Sequence, residues 1–331
     1  MSAGCSDLAV RLYFPNMELA EAIKTHTLQL GFDAVGITTA EPLDSMLPEY
    51  FRRWLAEGGA DGLEYMKRHI QTRFAPAQLL EGAQSVICAA VHYKPADISF
   101  ALGCAQIARF ALYDDYHLFI REQLQQLACF IESCLPKGTR WTYKICTDSV
   151  PLAERALAAR AGLGFIGKNH MLIHPVLGCQ ILLGELVTTL PLPPDGPALS
   201  DGCGGCTRCL QACPAGALRP DGFFQTNRCI SFLTQYAGDA AHLRTGRWIF
   251  GCDECLLVCP YEQKAPPCRT PPPGFTPQRA ALRPEDILQW NSSDFERFFK
   301  NSCVERIGLK KLQQNAAACL KSSDKPTGNT R

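Results

Sequence analysis

Four cysteines in the run CGGCTRCLQACP, Cys203, Cys206, Cys209 and Cys213, stand at C-x2-C-x2-C-x3-C and are followed by Pro214. Bacterial ferredoxins hold [4Fe–4S] clusters with this spacing: three thiolates wrap one face of a cubane, and the fourth cysteine, turned away by the proline, serves the neighbouring cluster. A second run, CDECLLVCP, supplies Cys252, Cys255 and Cys259 before Pro260 and is one thiolate short of a quartet. Cys229, in TNRCISFL between the two runs, is the obvious eighth ligand. Exchange of the distal cysteines gives one cluster on Cys203, Cys206, Cys209 and Cys259, and another on Cys213, Cys229, Cys252 and Cys255. A structural zinc site is the competing reading, but zinc favours paired C-x2-C units across a longer loop over three consecutive spacings closed by proline.

Eighteen of the 331 residues are cysteine, so ten stay outside this scheme. Cys88, Cys104, Cys129 and Cys134 are among these; they are scattered on apolar stretches and read as small core residues. Clusters of this type move single electrons. Either another site consumes the electrons or the chain is only a carrier.

The run AGLGFIGKN sets Gly162, Gly164 and Gly167 at G-x-G-x-x-G and also ends a G-x4-G-K pattern at Lys168. A dinucleotide fingerprint follows a strand and opens a helix, whereas this one follows a helix; a phosphate loop needs Ser or Thr after the lysine, and Asn169 stands there. The glycines instead predict a tight turn where backbone comes close to a bound cofactor. Asp148, in CTDSVPLAER, falls between a strand and a helix, as a turn or N-cap residue or as a functional acid. Glu154 and Arg155 follow on that helix and read as an exposed pair. The seven histidines show no HExxH or paired ligand spacing, which leaves His117, His170 and His174 as pocket candidates.

The elements that must position these residues come from periodicity. Apolar spacing predicts a helix from Met17 to Gly31, a strand over Phe32–Thr38, short helices near Ser45–Ala56 and Gly62–His69, and a buried strand at Ser85–Tyr93. A helix over Leu118–Leu135, a strand at Thr139–Cys146, a helix opening at Pro151 and a strand at Cys179–Leu190 complete a mixed α/β (α+β) domain over residues 1–195. PLPPDGP closes it; a ferredoxin-like module follows over 196–270, and 271–331 reads as short helices, with Ser292 or Ser293 as N-cap, and a polar tail.

Composition narrows the class further. The chain is 47% hydrophobic and 20% charged, which excludes wholesale disorder, and its net charge of +1 excludes a strongly basic coat for nonspecific nucleic-acid binding. No basic leader with an apolar core, no twin arginine and no membrane-length apolar run is present, so a reducing cytoplasm without membrane attachment is expected.

In four places the chain resembles the epoxyqueuosine reductase family: RFALYDDYH; DSVPLAERALAARAGLGFIGKN; CGGCTRCLQACPAGAL with NRCISFLT; and GCDECLLVCPYE, within a span from about Phe32 to Ala318. The resemblance implies an iron-sulfur and cobalamin enzyme that reduces the epoxide of epoxyqueuosine, at the wobble position of a tRNA anticodon, to the alkene of queuosine. In that family the aspartate of D-x-x-P-x-x-E-R is the proton donor, and here it is Asp148. Arg109, Phe110, Asp115, Tyr116, Lys168, Asn169, Ser231, Cys252 and Asp253 occupy the motif positions that the resemblance assigns to a cobalamin pocket between the α/β domain and the clusters.

For the tRNA, Arg244, Arg247, Lys264 and Arg269 flank the second cysteine run, and Arg297, Lys300, Arg306, Lys310 and Lys311 follow in the tail, as phosphate contacts or as a solvated helix face. His170 and Cys179 depart from the family's usual threonine and serine. LKKLQQNAAACL lacks the arginine of the family's R-N-A helix, and the chain stops before the helical-repeat extension of many members. A monomer with an external electron donor is expected. The alternatives are a reductive dehalogenase, which would carry a twin-arginine signal and a tyrosine donor, and a noncatalytic ferredoxin-like carrier.

Overall fold

The structure, a computed structural model, describes residues 6–96, 98–197, 202–238 and 245–323, with side chains from residue 17 to residue 322 of those spans. Two compact units result. The first holds the described residues up to Arg52 with Lys67–His92 and His117–Gly204; the second holds Arg53–Met66, Tyr93–Tyr116 and the described residues from Gly205 onward.

The first unit is built on a sheet with strand order Ala34–Thr39, Ser85–His92, Ile181–Thr188 and Tyr143–Cys146. All three pairings are antiparallel. The mixed helix and strand content agrees with the sequence, but strand direction was not legible in it, because an antiparallel strand covered on both faces has the same unbroken apolar pattern as a parallel one. Ser85–His92 is such a strand, with every residue buried.

Its two covers differ. On one face Val86, Cys88, Ala90, Cys146 and Val187 pack with Leu157, Ala158 and Ala161 at the helix Glu154–Arg160. On the other, Gly184 makes room for the helix Tyr116–Cys134: a Cβ there would stand 2.3 Å from Ile120 Cγ2. Successive strand residues point to opposite faces, so the residue after Gly184, Glu185, is directed into the first of these layers.

Several element ends differ from the sequence expectation. The first helix spans Ser6–Gln29 rather than beginning at Met17. The expected helix at Gly62–His69 is a single 3-10 turn, Glu64–Lys67. The helix expected to open at Pro151 starts at Glu154, because the Leu152 N–H turns back to the Val150 carbonyl and the Ala153 N–H donates to Arg73. Asn291, and neither serine, caps Ser292–Phe299; its side chain accepts from Ser293 and Asp294 while Asp294 returns a bond to the Asn291 N–H.

The second unit gathers short helices, among them Arg208–Ala212, Ile230–Gln235, Glu254–Leu257 and Pro260–Lys264, with Pro284–Gln289, Ser292–Phe299 and Gly308–Ser323 nearer the end. These units do not part at the expected 195/196 and 270/271 boundaries. Gln106–Ile107 runs parallel to Trp248–Phe250, the Thr226 N–H donates to Gly59, and Ala105 donates to Leu282, so segments remote in sequence pack with the cysteine runs. Among the described residues no helix is long and apolar enough to cross a membrane.

Arg279 ties three of these segments together. Buried, it donates from Nη1 to the carbonyls of Ala111 at 3.1 Å and Tyr113 at 2.7 Å, and from Nε to that of Phe298 at 2.7 Å. Arg279→Met leaves those carbonyls without their donor and is expected to lower the unfolding free energy by about 2–4 kcal/mol, read from a denaturant midpoint. An unchanged midpoint would remove Arg279 as the tie.

Candidate active site

Asp148 sits where the strand Tyr143–Cys146 ends, with a left-handed φ of 48° that aspartate tolerates better than most side chains. It is a turn residue and not an N-cap, since Ala153 precedes the helix. Its backbone N–H donates to Glu154 Oε1 at 2.7 Å, which holds the turn against the start of the helix. The Asp148 side chain remains 57% exposed, and its Oδ2 lies 3.8 Å from His117 Nε2.

Glu154 and Arg155 do not form the exposed pair expected from their spacing. The Arg155 guanidinium donates to the His170 carbonyl and approaches Met171 Sδ at 3.9 Å. Glu154 turns inward, is half-buried, and engages the carboxyl groups of both Asp148 and Glu185. Removal from water, then the neighbouring Asp148 charge, pushes the Glu154 carboxyl well above the usual carboxylate range.

Glu185 is the residue that sequence reasoning missed. It is fully buried, and neither carboxyl oxygen has a hydrogen-bond donor. In the ladder it lies opposite Cys88 on one side and Cys146 on the other, two thiols that burial also holds neutral. Desolvation pushes Glu185 far up, with the negative charge of Glu154 and Asp148 adding to the shift. The signal was present in ILLGELVT, where one acidic letter interrupts an apolar strand.

The glycine run closes a hairpin of Phe165–Ile166 with Leu172–Ile173. A Cβ on Gly164 would meet the Ile173 carbonyl oxygen at 2.1 Å, and one on Gly167 would meet Ile173 Cδ1 at 2.4 Å. The turn is tight as expected, but the close approach is to the chain itself. Lys168 Nζ donates to the Gly204 carbonyl at 2.6 Å, and buried Asn169 accepts from the Met171 N–H at 3.1 Å.

Burial, then Arg155, pushes His170 down from 6.5 to about 4. Its imidazole therefore stays neutral in the folded chain while the unfolded chain gains a proton below 6.5, so stability falls as pH drops from 6.5 towards 4. His170→Asn is expected to flatten that loss in denaturant midpoints measured across this window; an unchanged slope would assign the loss elsewhere.

The second unit carries the other candidates. The Arg109 N–H donates to Asp253 Oδ2 at 2.7 Å, while Arg109 Nη1 stands 3.9 Å from the same oxygen and is otherwise a buried donor with no hydrogen-bond partner. Burial raises the Asp253 carboxyl to about 6. The Phe110 ring meets those of Tyr116 and Phe250 at 6.2 Å and 6.0 Å. Asp115 donates its N–H to the Asn301 carbonyl at 2.7 Å and faces Cys303 Sγ at 3.5 Å, and Ser231 Oγ accepts from Gln235 at 2.9 Å.

The cysteines of this unit crowd one another. Cys255 feels Cys229, Cys213 and Cys209, and Cys252 feels Cys255 and Cys229; with burial these neighbours drive both thiols up. Thiols so placed resist ionising together unless a metal takes up their charge, which is the condition an iron-sulfur cluster meets. The Ala217 N–H donates to Cys213 Sγ at 3.3 Å, the kind of bond that tunes a cluster sulfur. Cys259 immediately precedes a helix with Pro260 in its first turn.

The basic residues divide into two groups. Arg247 donates to the carbonyls of Ala101 and Cys104, Arg306 to Gln235, and Lys311 to the Ala237 carbonyl, while Arg297 bonds Asp294 at 3.3 Å. Lys264, Arg269, Lys300 and Lys310 are exposed, and Arg244 lies outside the described residues.

A family model described as "Epoxyqueuosine reductase QueG, DUF1730" matches residues 73–149, and one described as "4Fe-4S double cluster binding domain" matches 202–262. The epoxyqueuosine reductase of Vibrio cholerae is 36% identical over 310 residues, covering 90% of this chain and 82% of the relative. The chain belongs to the epoxyqueuosine reductase family.

Solved family structures agree in fold. An epoxyqueuosine reductase with a tRNA-Tyr epoxyqueuosine-modified stem loop superposes with a TM-score of 0.83 at 32% identity, over 92% of this chain and 81% of that one. The Bacillus subtilis epoxyqueuosine reductase, captured with an aspartate-bearing catalytic loop swung out of the active site, gives 0.82 at 32% identity over 92% and 82%. As a family member the chain is an oxidoreductase with a double [4Fe–4S] domain. Cys229→Ser is expected to lower bound iron by about half, because it removes one ligand from a single cluster. Iron per chain measured after anaerobic purification checks this, and unchanged iron would exclude Cys229 as a ligand.

Proposed function

We propose that this chain reduces the epoxide of epoxyqueuosine in a tRNA anticodon to the alkene of queuosine, with Asp148 as the proton donor. The supporting observation is the Asp148 turn: an exposed carboxyl on a strained strand end, fixed by the bond to Glu154. The relatives act as epoxyqueuosine reductases, and one family structure holds the modified stem loop itself. The reaction belongs in the cytoplasm, where tRNA and a reducing milieu coincide.

Overall, the epoxide oxygen leaves as water, both carbon–oxygen bonds break, a carbon–carbon double bond forms, and two electrons with two protons are consumed. Asp148 holds a proton on its carboxyl and gives it to the departing oxygen, and His117 flanks the same carboxyl. Cys203, Cys206, Cys209 and Cys259 would hold one cluster, and Cys213, Cys229, Cys252 and Cys255 the other.

Cobalamin fits the donor set of the second unit. Arg109 has an unused buried donor suited to a polar group, and Asp253 orients it; Phe110 and Tyr116 offer apolar ring faces, with Asp115, Ser231 and Cys252 as the further candidates. Bound there, cobalamin would supply a strongly reducing cobalt centre. Among the basic residues flanking the second cysteine run and in the tail, Lys264, Arg269, Lys300 and Lys310 are exposed and open to tRNA phosphates.

Asp148→Asn keeps the shape of the side chain and removes its proton. Turnover of epoxyqueuosine-bearing tRNA is expected to fall by about a hundredfold or more, with iron, cobalt and tRNA binding retained. Normal turnover in that variant would overturn the assignment.

A further inference from the structure

Two protons are consumed per epoxide, and Asp148 carries one. Its side chain is exposed. Two more acids, half-buried Glu154 and fully buried Glu185, stand in contact behind it. Glu154 accepts the Asp148 N–H at 2.7 Å, stands within hydrogen-bonding reach of the Asp148 carboxyl, and reaches Glu185 on its other side.

The surroundings of Glu185 offer it no partner but an acid. The strand Ser85–His92 presents Cys88 to it and the strand Tyr143–Cys146 presents Cys146, both neutral thiols. The helix Glu154–Arg160 brings Glu154 with Arg155 and Arg160, the turn brings Asp148, and His117 stands beyond Asp148; Lys144 influences Cys146. Neither Glu185 oxygen meets an N–H or O–H donor from any of these. Two ionised carboxylates in contact repel, whereas one proton between them makes a charge-assisted O–H···O bond.

On the reading that Asp148 is the acid, we propose that Glu154 and Glu185 share one proton and pass it to Asp148 as the second proton of each turnover. After Asp148 has given its proton to oxygen, the shared proton is taken up by Glu154 and passed on: the Glu154 carboxyl O–H bond breaks, an O–H bond forms on Asp148, and the two glutamates are left without their proton. Solvent restores the pair once product has left. The upward push on both glutamates agrees with a proton held there at neutral pH. Both glutamates are positioning residues here, since neither is placed on the substrate.

Infrared spectra of the cofactor-loaded enzyme near neutral pH read the shared proton directly. A protonated-carboxyl C=O stretch additional to that of Asp148 is expected in the wild type, is expected to persist in Asp148→Asn, and is expected to be lost in Glu185→Gln. In single turnovers of pre-reduced enzyme, Glu185→Gln is expected to form queuosine about tenfold more slowly, with iron, cobalt and tRNA affinity unchanged and the rate restored in part by a small permeant acid such as acetic acid. Glu154→Gln, at a half-buried site, tests the same band and the same rescue if Glu185→Gln does not fold.

Absence of the band from the wild type, or a Glu185→Gln enzyme with the wild-type rate and pH profile, would overturn the proposal. Normal turnover by Asp148→Asn would overturn the acid role and the delivery step with it. In that case the infrared difference between wild type and Glu185→Gln still decides whether the pair shares a proton.

Discussion

A carboxyl group buried without a donor is the constraint around which the first unit is arranged. Glu185 lies in the middle of an apolar layer, and an ionised acid there would cost far more than the layer gains from one more buried side chain. Its register opposite Cys88 and Cys146 supplies small, neutral neighbours, while Gly184 beside it lets the Tyr116–Cys134 helix close over the other face. The Glu154 carboxyl is the one acidic group brought against it from the covering helix, and Glu154 in turn holds the Asp148 turn. Core packing and the position of the proposed acid are therefore parts of one arrangement.

The second unit solves a different electrostatic problem. Thiols gathered as closely as Cys213, Cys229, Cys252 and Cys255 burden one another when they ionise, so this region is best satisfied with a metal cluster in place. The protein frame around them is assembled from remote segments: the Gln106–Ile107 ladder, the Arg279 bonds to 111 and 113, and Asn315, whose side chain donates to the Thr234 and Ile249 carbonyls at 2.8 Å. The same ladder leads into Arg109 and Phe110, so cluster frame and cofactor candidates share their supports.

How much of this was legible depended on how local the signal was. Cysteine spacing is local and singled out the candidate cluster ligands, and the unbroken apolar run Ser85–His92 identified a fully covered strand. The Glu154–Arg155 pair misled because adjacent helix residues point apart: Arg155 turns to His170 and Glu154 to the sheet. Glu185 was passed over because one acidic letter in a strand carries no motif; only the register shows its thiol neighbours. Asn291 took the cap from the two serines beside it because Asp294 could answer its backbone N–H. The interleaving of the units rests on non-local pairing, for which spacing offers no pattern.

The most direct measurement is nucleoside analysis of epoxyqueuosine-bearing tRNA incubated with the reduced, cofactor-loaded protein, with iron and cobalt quantified in the same sample. The account predicts loss of epoxyqueuosine matched by the appearance of queuosine. Unchanged epoxyqueuosine in a sample carrying both metals in full would contradict it.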